Sequence, residues 1–194
     1  MENGSQKIGY RIAAGFLVAI TIIVAVFASG ITLPNQEDRT GRLTVLLTDA
    51  PVDLESLDIT ISKLEVHKVA VEEGEDKGWV LLADEGDIPT FDLLLFQEGK
   101  VLELASRDIP AGTYNKIRMY ISEAFAYYKP NSGKEDGPVN VPPGKIDVIT
   151  EFTLEPDGSR SVLIDMEPDW VAMRNYNNLR PVLKATIAEQ PPEG

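Results

Sequence analysis

Apolar residues fall along this chain in two textures. From Ile12 to Leu33 they continue for 22 positions without a charge (IAAGFLVAITIIVAVFASGITL). Beyond Gly41 they come in short runs that alternate with polar residues and are broken by Gly, Pro, Asn and Asp. The first texture predicts a helix, which at 1.5 Å per residue reaches about 33 Å, enough to cross a hydrocarbon core of about 30 Å. The second predicts strands.

Arg42 to Thr48 (RLTVLLT) is apolar and β-branched, and Asp49-Ala50-Pro51 ends it because Pro supplies no donor. Leu57, Ile59 and Ile61 share one strand face, but the apolar parity then moves to Leu64 and Val66. A straight strand would turn its second half inside out, so the pattern predicts a bulge at Ser62-Lys63. Further apolar runs occupy Trp79–Ala83, Phe91–Phe96 and Val101–Ala105. Ile109 to Thr113 (IPAGT) reads as a turn into the long run Tyr114–Tyr128. There Ile117, Met119 and Ile121 form one face and Tyr114, Lys116, Arg118 and Tyr120 the other, which favours strand over helix. Asp147–Leu154 and Ser161–Met166 flank the tight turn Glu155–Ser159, and Leu179–Ala188 is the last strand. Pro181 confines its beginning to a strand start or a sheet edge. Short strands at this spacing predict a mainly β domain, a two-sheet antiparallel sandwich.

The organisation that follows is a cytoplasmic N-terminus (1–11), a transmembrane signal-anchor helix (12–33), a polar linker (34–40, PNQEDRT), an exported sandwich (41–189) and a tail (190–194). Lys7 and Arg11 precede the apolar segment, which places the domain on the extracytoplasmic side of the membrane. A cleaved signal peptide is the competing reading, with Ala28, Ser29 and Gly30 as small residues for a peptidase. Its apolar core would be only about 7–15 residues long, so a retained anchor is expected.

Charge and chemistry narrow the function classes. The chain carries 31 acidic and 18 basic residues, a net charge of −13, and no Cys. That removes thiol catalysis, thiolate metal sites and disulfides, and it argues against nucleic acid, whose phosphates need Lys and Arg. No basic patch is visible along the sequence. His67 is the lone imidazole and lies in a strand run, where a surface or core-edge role is expected. No nucleophile elbow, zinc helix or phosphate-binding loop occurs. A pair of carboxylates acting as a hydrolase is the remote alternative.

Glu72, Glu73, Glu75 and Asp76 form a candidate Ca²⁺ loop, yet they and Asp84, Glu85 and Asp87 read first as solvated turns, since neither matches an established Ca²⁺-loop pattern. Asp49 and Asp53 read as backbone caps. Trp79 opens an apolar run and is expected in the core. Tyr127, Tyr128 and Trp170 lie near loops and are the candidate ligand-contact aromatics.

The segments GRLTVLLTDAPV, LDITISKLEVHKV, FDLL, IPAGTYNKIRM and RPVLK together resemble the prokaryotic family of domain of unknown function 4382, from about Gly41 to Lys184. The resemblance implies an immunoglobulin- or prealbumin-like sandwich behind an export signal or lipid anchor, and no reaction. This chain lacks the Cys of the lipid-anchored arrangement. The expected function is a non-catalytic envelope module, structural or adhesive, held by residues 12–33 near the bilayer. Its partner would be an envelope protein or polysaccharide, or a second copy joined through an edge strand. A polysaccharide- or divalent-cation-binding module is the alternative.

Overall fold

The alternating runs become ten strands among the described residues: β1 (Thr40–Asp49), β2 (Ser56–Lys68), β3 (Trp79–Ala83), β4 (Phe91–Asp92), β5 (Leu102–Pro110), β6 (Gly112–Tyr127), β7 (Gly137–Pro138), β8 (Lys145–Leu154), β9 (Ser159–Pro168) and β10 (Pro181–Ala188). The structure is a computed structural model and describes residues 39–49, 53–69, 78–141, 144–168, 178–179 and 181–188. The predicted membrane helix at 12–33 lies outside them; among the described residues no helix is long and apolar enough to cross a membrane.

Two sheets form. The smaller has the order β10-β9-β1-β5; the larger has β3-β2-β6-β7, with β4 also paired to β2 and β8 to β6. Leu43, Val45 and Ile164 from the smaller sheet and Ile59, Val66 and Met119 from the larger belong to one buried apolar cluster. Pro181 begins β10, an edge strand, where its missing donor breaks no ladder.

The sandwich departs from the purely antiparallel expectation at one place. β1 runs parallel to β9, from Arg42 opposite Ser159 to Asp49 opposite Met166. The cause is topological: β8 lies in the larger sheet, and the turn at 155–158 carries the chain across to the smaller one, where β9 enters beside β1 in the same direction. Gly41 permits that crossing. A Cβ there would lie 2.7 Å from Glu155 O and 2.9 Å from Gly158 O. Arg42 N–H donates to Gly158 O and Asp157 N–H to Thr40 O, both at 2.8 Å, so the turn is sewn to the start of β1.

Bulges decide which side chains face inward. The predicted irregularity in β2 is present: the pairing of β2 with β6 shifts between Ile61 and Lys63, and Ile61, Leu64 and Val66 are all buried. A second shift lies in β6, where Lys116 pairs His67 but Tyr114 pairs Lys68, leaving Asn115 as the extra residue. Tyr114 therefore points into the core rather than outward with Lys116, and is fully buried against Phe152. Its hydroxyl donates to Pro110 O at 2.5 Å, tying the strand to the turn four residues before it. That turn is shorter than IPAGT suggested, because β5 continues through Pro110.

Phe91–Phe96 is not one strand. Asp92 Oδ1 accepts from Leu94 N–H at 3.1 Å and from Leu57 N–H at 3.0 Å, so the carboxylate caps a single 3-10 turn over Leu93–Phe96. The edge strand β3 is closed from the other sheet. Arg107 Nη1 donates to Leu81 O at 3.2 Å and Leu82 O at 3.4 Å, occupying carbonyls that an edge leaves open.

Candidate functional site

The outer face of the larger sheet collects the polar members of each alternation. Glu65 and Arg118 are cross-strand partners, as are Arg118 and Asp147, and His67 lies opposite both Trp79 and Lys116. Residues far apart in sequence thus form two adjacent rows on one surface.

Arg118 is the centre of these rows. Its Nε donates to Asp147 Oδ1 at 2.6 Å and its Nη2 to Oδ2 at 2.9 Å, a two-pronged pair matched to carboxylate geometry. The guanidinium also lies over the Trp79 ring, 4.1 Å from its centroid. The hydrogen bond from Arg118 holds the Asp147 carboxyl below its ordinary range, and the same bond raises the Arg118 pKa. Lys116 Nζ adds a contact to Asp147 at 3.6 Å.

His67 Nδ1 and Asn115 Oδ1 are 2.9 Å apart. An amide oxygen only accepts, so Nδ1 carries the hydrogen in this arrangement. The imidazole meets Trp79 edge-on, with centroids 4.9 Å apart and planes at 63°. The bulge at Asn115 is what turns the amide toward this ring. At the other end of the row Lys63 pairs with Glu65, which is 8 % exposed, and lies 5.3 Å from the Tyr120 centroid. The Glu65 carboxylate raises the Lys63 pKa.

This geometry corrects two expectations. Trp79 does not fill the core: Val80 and Leu82 take the inward positions of β3, and Trp79 and Leu81 take the outward ones. A basic patch also exists, although none is visible along the sequence. Over Lys63–His67, Lys116–Tyr120 and Lys145–Ile149, four cations (Lys63, Lys116, Arg118, Lys145) stand against two carboxylates (Glu65, Asp147), with Asp84 just past β3 beside Lys63. The signal was present in the alternating polar positions K-I-R-M-Y and K-I-D-V-I, but it becomes a patch only when β6 and β8 pair.

The candidate aromatics separate. Tyr127 is 38 % exposed and tilts against Phe125 at 4.9 Å. Tyr128 is 6 % exposed and belongs to the core cluster, so it is not a free ligand contact. Tyr127 is the last residue of β6 and Tyr128 the first beyond it, and the two side chains differ in burial. Trp170 and the candidate cation loop Glu72, Glu73, Glu75 and Asp76 lie outside the described residues.

The other acidic positions have local partners. Asp84 and Asp87 close their own turn, with Asp84 N–H donating to Asp87 Oδ2 and Glu85 N–H to Asp84 Oδ1, both at 2.9 Å. Asp53 pairs with Lys129 at 2.7 Å, and Asp49 accepts from Gln97 Nε2 at 2.8 Å. Among the described residues no three His, Cys, Asp or Glu side chains converge on a point that could hold a metal ion.

Fold and surface together define a mainly β, two-sheet domain with a cation–aromatic layer on its larger sheet. Residues 40–183 match the model of the family described as Domain of unknown function (DUF4382), and the chain belongs to that family. A comparison with curated proteins finds no match.

Proposed function

We propose that this protein is a non-catalytic interaction module, membrane-anchored and displayed on the extracytoplasmic side, with the outer face of the larger sheet as its working surface. We read the fold as a prealbumin-like sandwich; the Tyr114 hydroxyl tied to Pro110 O four residues upstream resembles the tyrosine corner of such sandwiches. The observation that carries the functional reading is Arg118, held between the Trp79 ring and both Asp147 oxygens. Trp, Tyr and Arg dominate binding energy at protein interfaces, and side chains already fixed lose less entropy on binding. His67 supports the non-catalytic part, since Asn115 and Trp79 hold it within this layer.

A polysaccharide-binding module is the second reading, and exposed Tyr127 is the observation that favours it. It is the weaker one, because cations already lie over the rings of Trp79 and Tyr120 where a sugar would stack. A photo-crosslinker at Ile149, 74 % exposed on this face, should give a discrete adduct in intact envelopes that Arg118→Ala abolishes. The same probe at Thr186, exposed on β10, should give none. Equal labelling at the two positions, or turnover of an ester, peptide or glycoside that depends on His67, refutes the reading. The anchor has its own test: the full chain should resist alkaline extraction, and a soluble chain beginning near Ser29 would refute retention.

A further inference from the structure

The outer face of the larger sheet changes sign along its length. On one side of Ser62 and Ser122 lie the four cations and two carboxylates of the Arg118 rows, with Asp84 at their margin beside Lys63. On the other side, Ser56–Thr60 and Glu123–Tyr127 carry Asp58 and Glu123 and no cation. Each half has aromatics, Trp79 and Tyr120 on the first and Phe125 and Tyr127 on the second. Three large apolar side chains stand exposed across this face: Leu81 at 36 %, Tyr127 at 38 % and Ile149 at 74 %.

A half-turn about an axis in the sheet plane, perpendicular to the strands and passing by Ser122, lays the cationic half of one copy on the acidic half of another. Two-fold symmetry makes the same contact twice. We infer that this face is a two-fold interface between two copies of this chain, an inference that rests on reading the face as an interaction surface. Its size suffices. Thirteen residues of β2 by four strand widths cover roughly 800 Å² at the usual strand rise and spacing, which matches about 800 Å² per partner in a standard interface. A polyanion would gain at the Lys half but be repelled at the acidic half, whereas a second copy is complementary to both. The face rather than the β3 edge is used, because Arg107 already occupies two of the β3 carbonyls, those of Leu81 and Leu82.

The full chain has no Cys, so introduced thiols report without background. In membranes under mild oxidation, Ser122→Cys, beside the axis, should give a disulfide-linked dimer, while Thr186→Cys stays monomeric. Adding Lys116→Glu with Lys145→Glu, or Asp58→Lys with Glu123→Lys, should lower the dimer yield at least tenfold, because each sets like charge against like. Co-expressing the two reversed chains, told apart by size, should restore a mixed dimer. Persistent homodimers in both reversed chains overturn the inference, as does failure of the mixture to pair when both chains keep wild-type protease resistance. A Ser122→Cys chain that stays monomeric while Ile149 crosslinks a different protein overturns the dimer and leaves the surface reading standing. No adduct from either probe removes both.

Discussion

Ser62 and Ser122 are the extra residues of β2 and β6, set against each other across the centre of the larger sheet. Thr60 pairs Glu123 and Ile61 pairs Ile121, skipping Ser122; Lys63 then pairs Tyr120, skipping Ser62. The two bulges cancel, so the register beyond them equals the register before them. Each hydroxyl donates to the opposite strand, Ser62 Oγ to Tyr120 O at 3.3 Å and Ser122 Oγ to Thr60 O at 3.4 Å. Both strands also change parity here, from Ile61 to Leu64 and from Ile121 to Ala124, and all four side chains stay inside.

If the bulges compensate, deleting Ser62 and Ser122 together leaves every neighbouring pair and both apolar faces intact. The double deletion should keep its strand content and lose no more than about 2 kcal/mol, the scale of two long hydrogen bonds. Deleting Glu65 instead turns Val66 outward and His67 inward, and should prevent folding. Circular dichroism and urea unfolding distinguish these outcomes, and loss of structure in the double deletion would contradict compensation.

Gly41 should tolerate no side chain. Its Cβ would meet two carbonyl oxygens of the β8–β9 turn, backbone atoms that cannot swing away. Gly41→Ala should destabilise by about 2–3 kcal/mol, as expected of overpacking at a site that cannot relax. Gly86→Ala, where the added carbon meets nothing within 4 Å but the φ is +88°, should cost about 1 kcal/mol from backbone strain alone. A milder effect at Gly41 than at Gly86 would contradict the close approach.

Burial pushes the Tyr114 phenol up to about 12 from its ordinary 10.0. The folded state thus keeps the proton more tightly than the unfolded state. Stability from this group is complete below pH 10 and is lost as pH rises from 10 through 12. Tyr128, raised by burial as well, adds in the same direction. Tyr114→Phe should lose about 1–2 kcal/mol at neutral pH through the Pro110 carbonyl. It should also unfold less steeply than wild type between pH 10 and 12, and urea midpoints across that range decide the point.

Asp147 behaves oppositely. Arg118 lowers its pKa below 3.8, so its stabilisation is present above pH 4 and disappears as pH falls through the lowered value. The pair is partly exposed, at 17 % and 31 % of the two side chains, which limits the loss in Asp147→Asn to about 1 kcal/mol at pH 7. The variant and wild type should converge near pH 2. A difference that persists there would place the effect in packing rather than charge.

Alternation alone determined most of the strands, the inward sets Leu57–Ile61 and Ile117–Ile121, the break at Ser62 and the confinement of Pro181 to a strand start or sheet edge. These are legible because a strand's period is two and Pro lacks a donor, facts that act within a few residues. The five-segment resemblance to the family likewise needed only the order of residues. Tertiary structure decided the rest. Tyr114 turned inward because a bulge at Asn115 shifts parity, and Asn115 is a bulge only against its partner strand β2. Trp79 left the core because Val80 and Leu82 filled the inward side of a short edge strand. The Arg118–Asp147–Trp79 layer joins three strands whose spacing in sequence carries no trace of their adjacency. Local sterics write the elements, but which strand lies beside which is settled by how both sheets bury one common core.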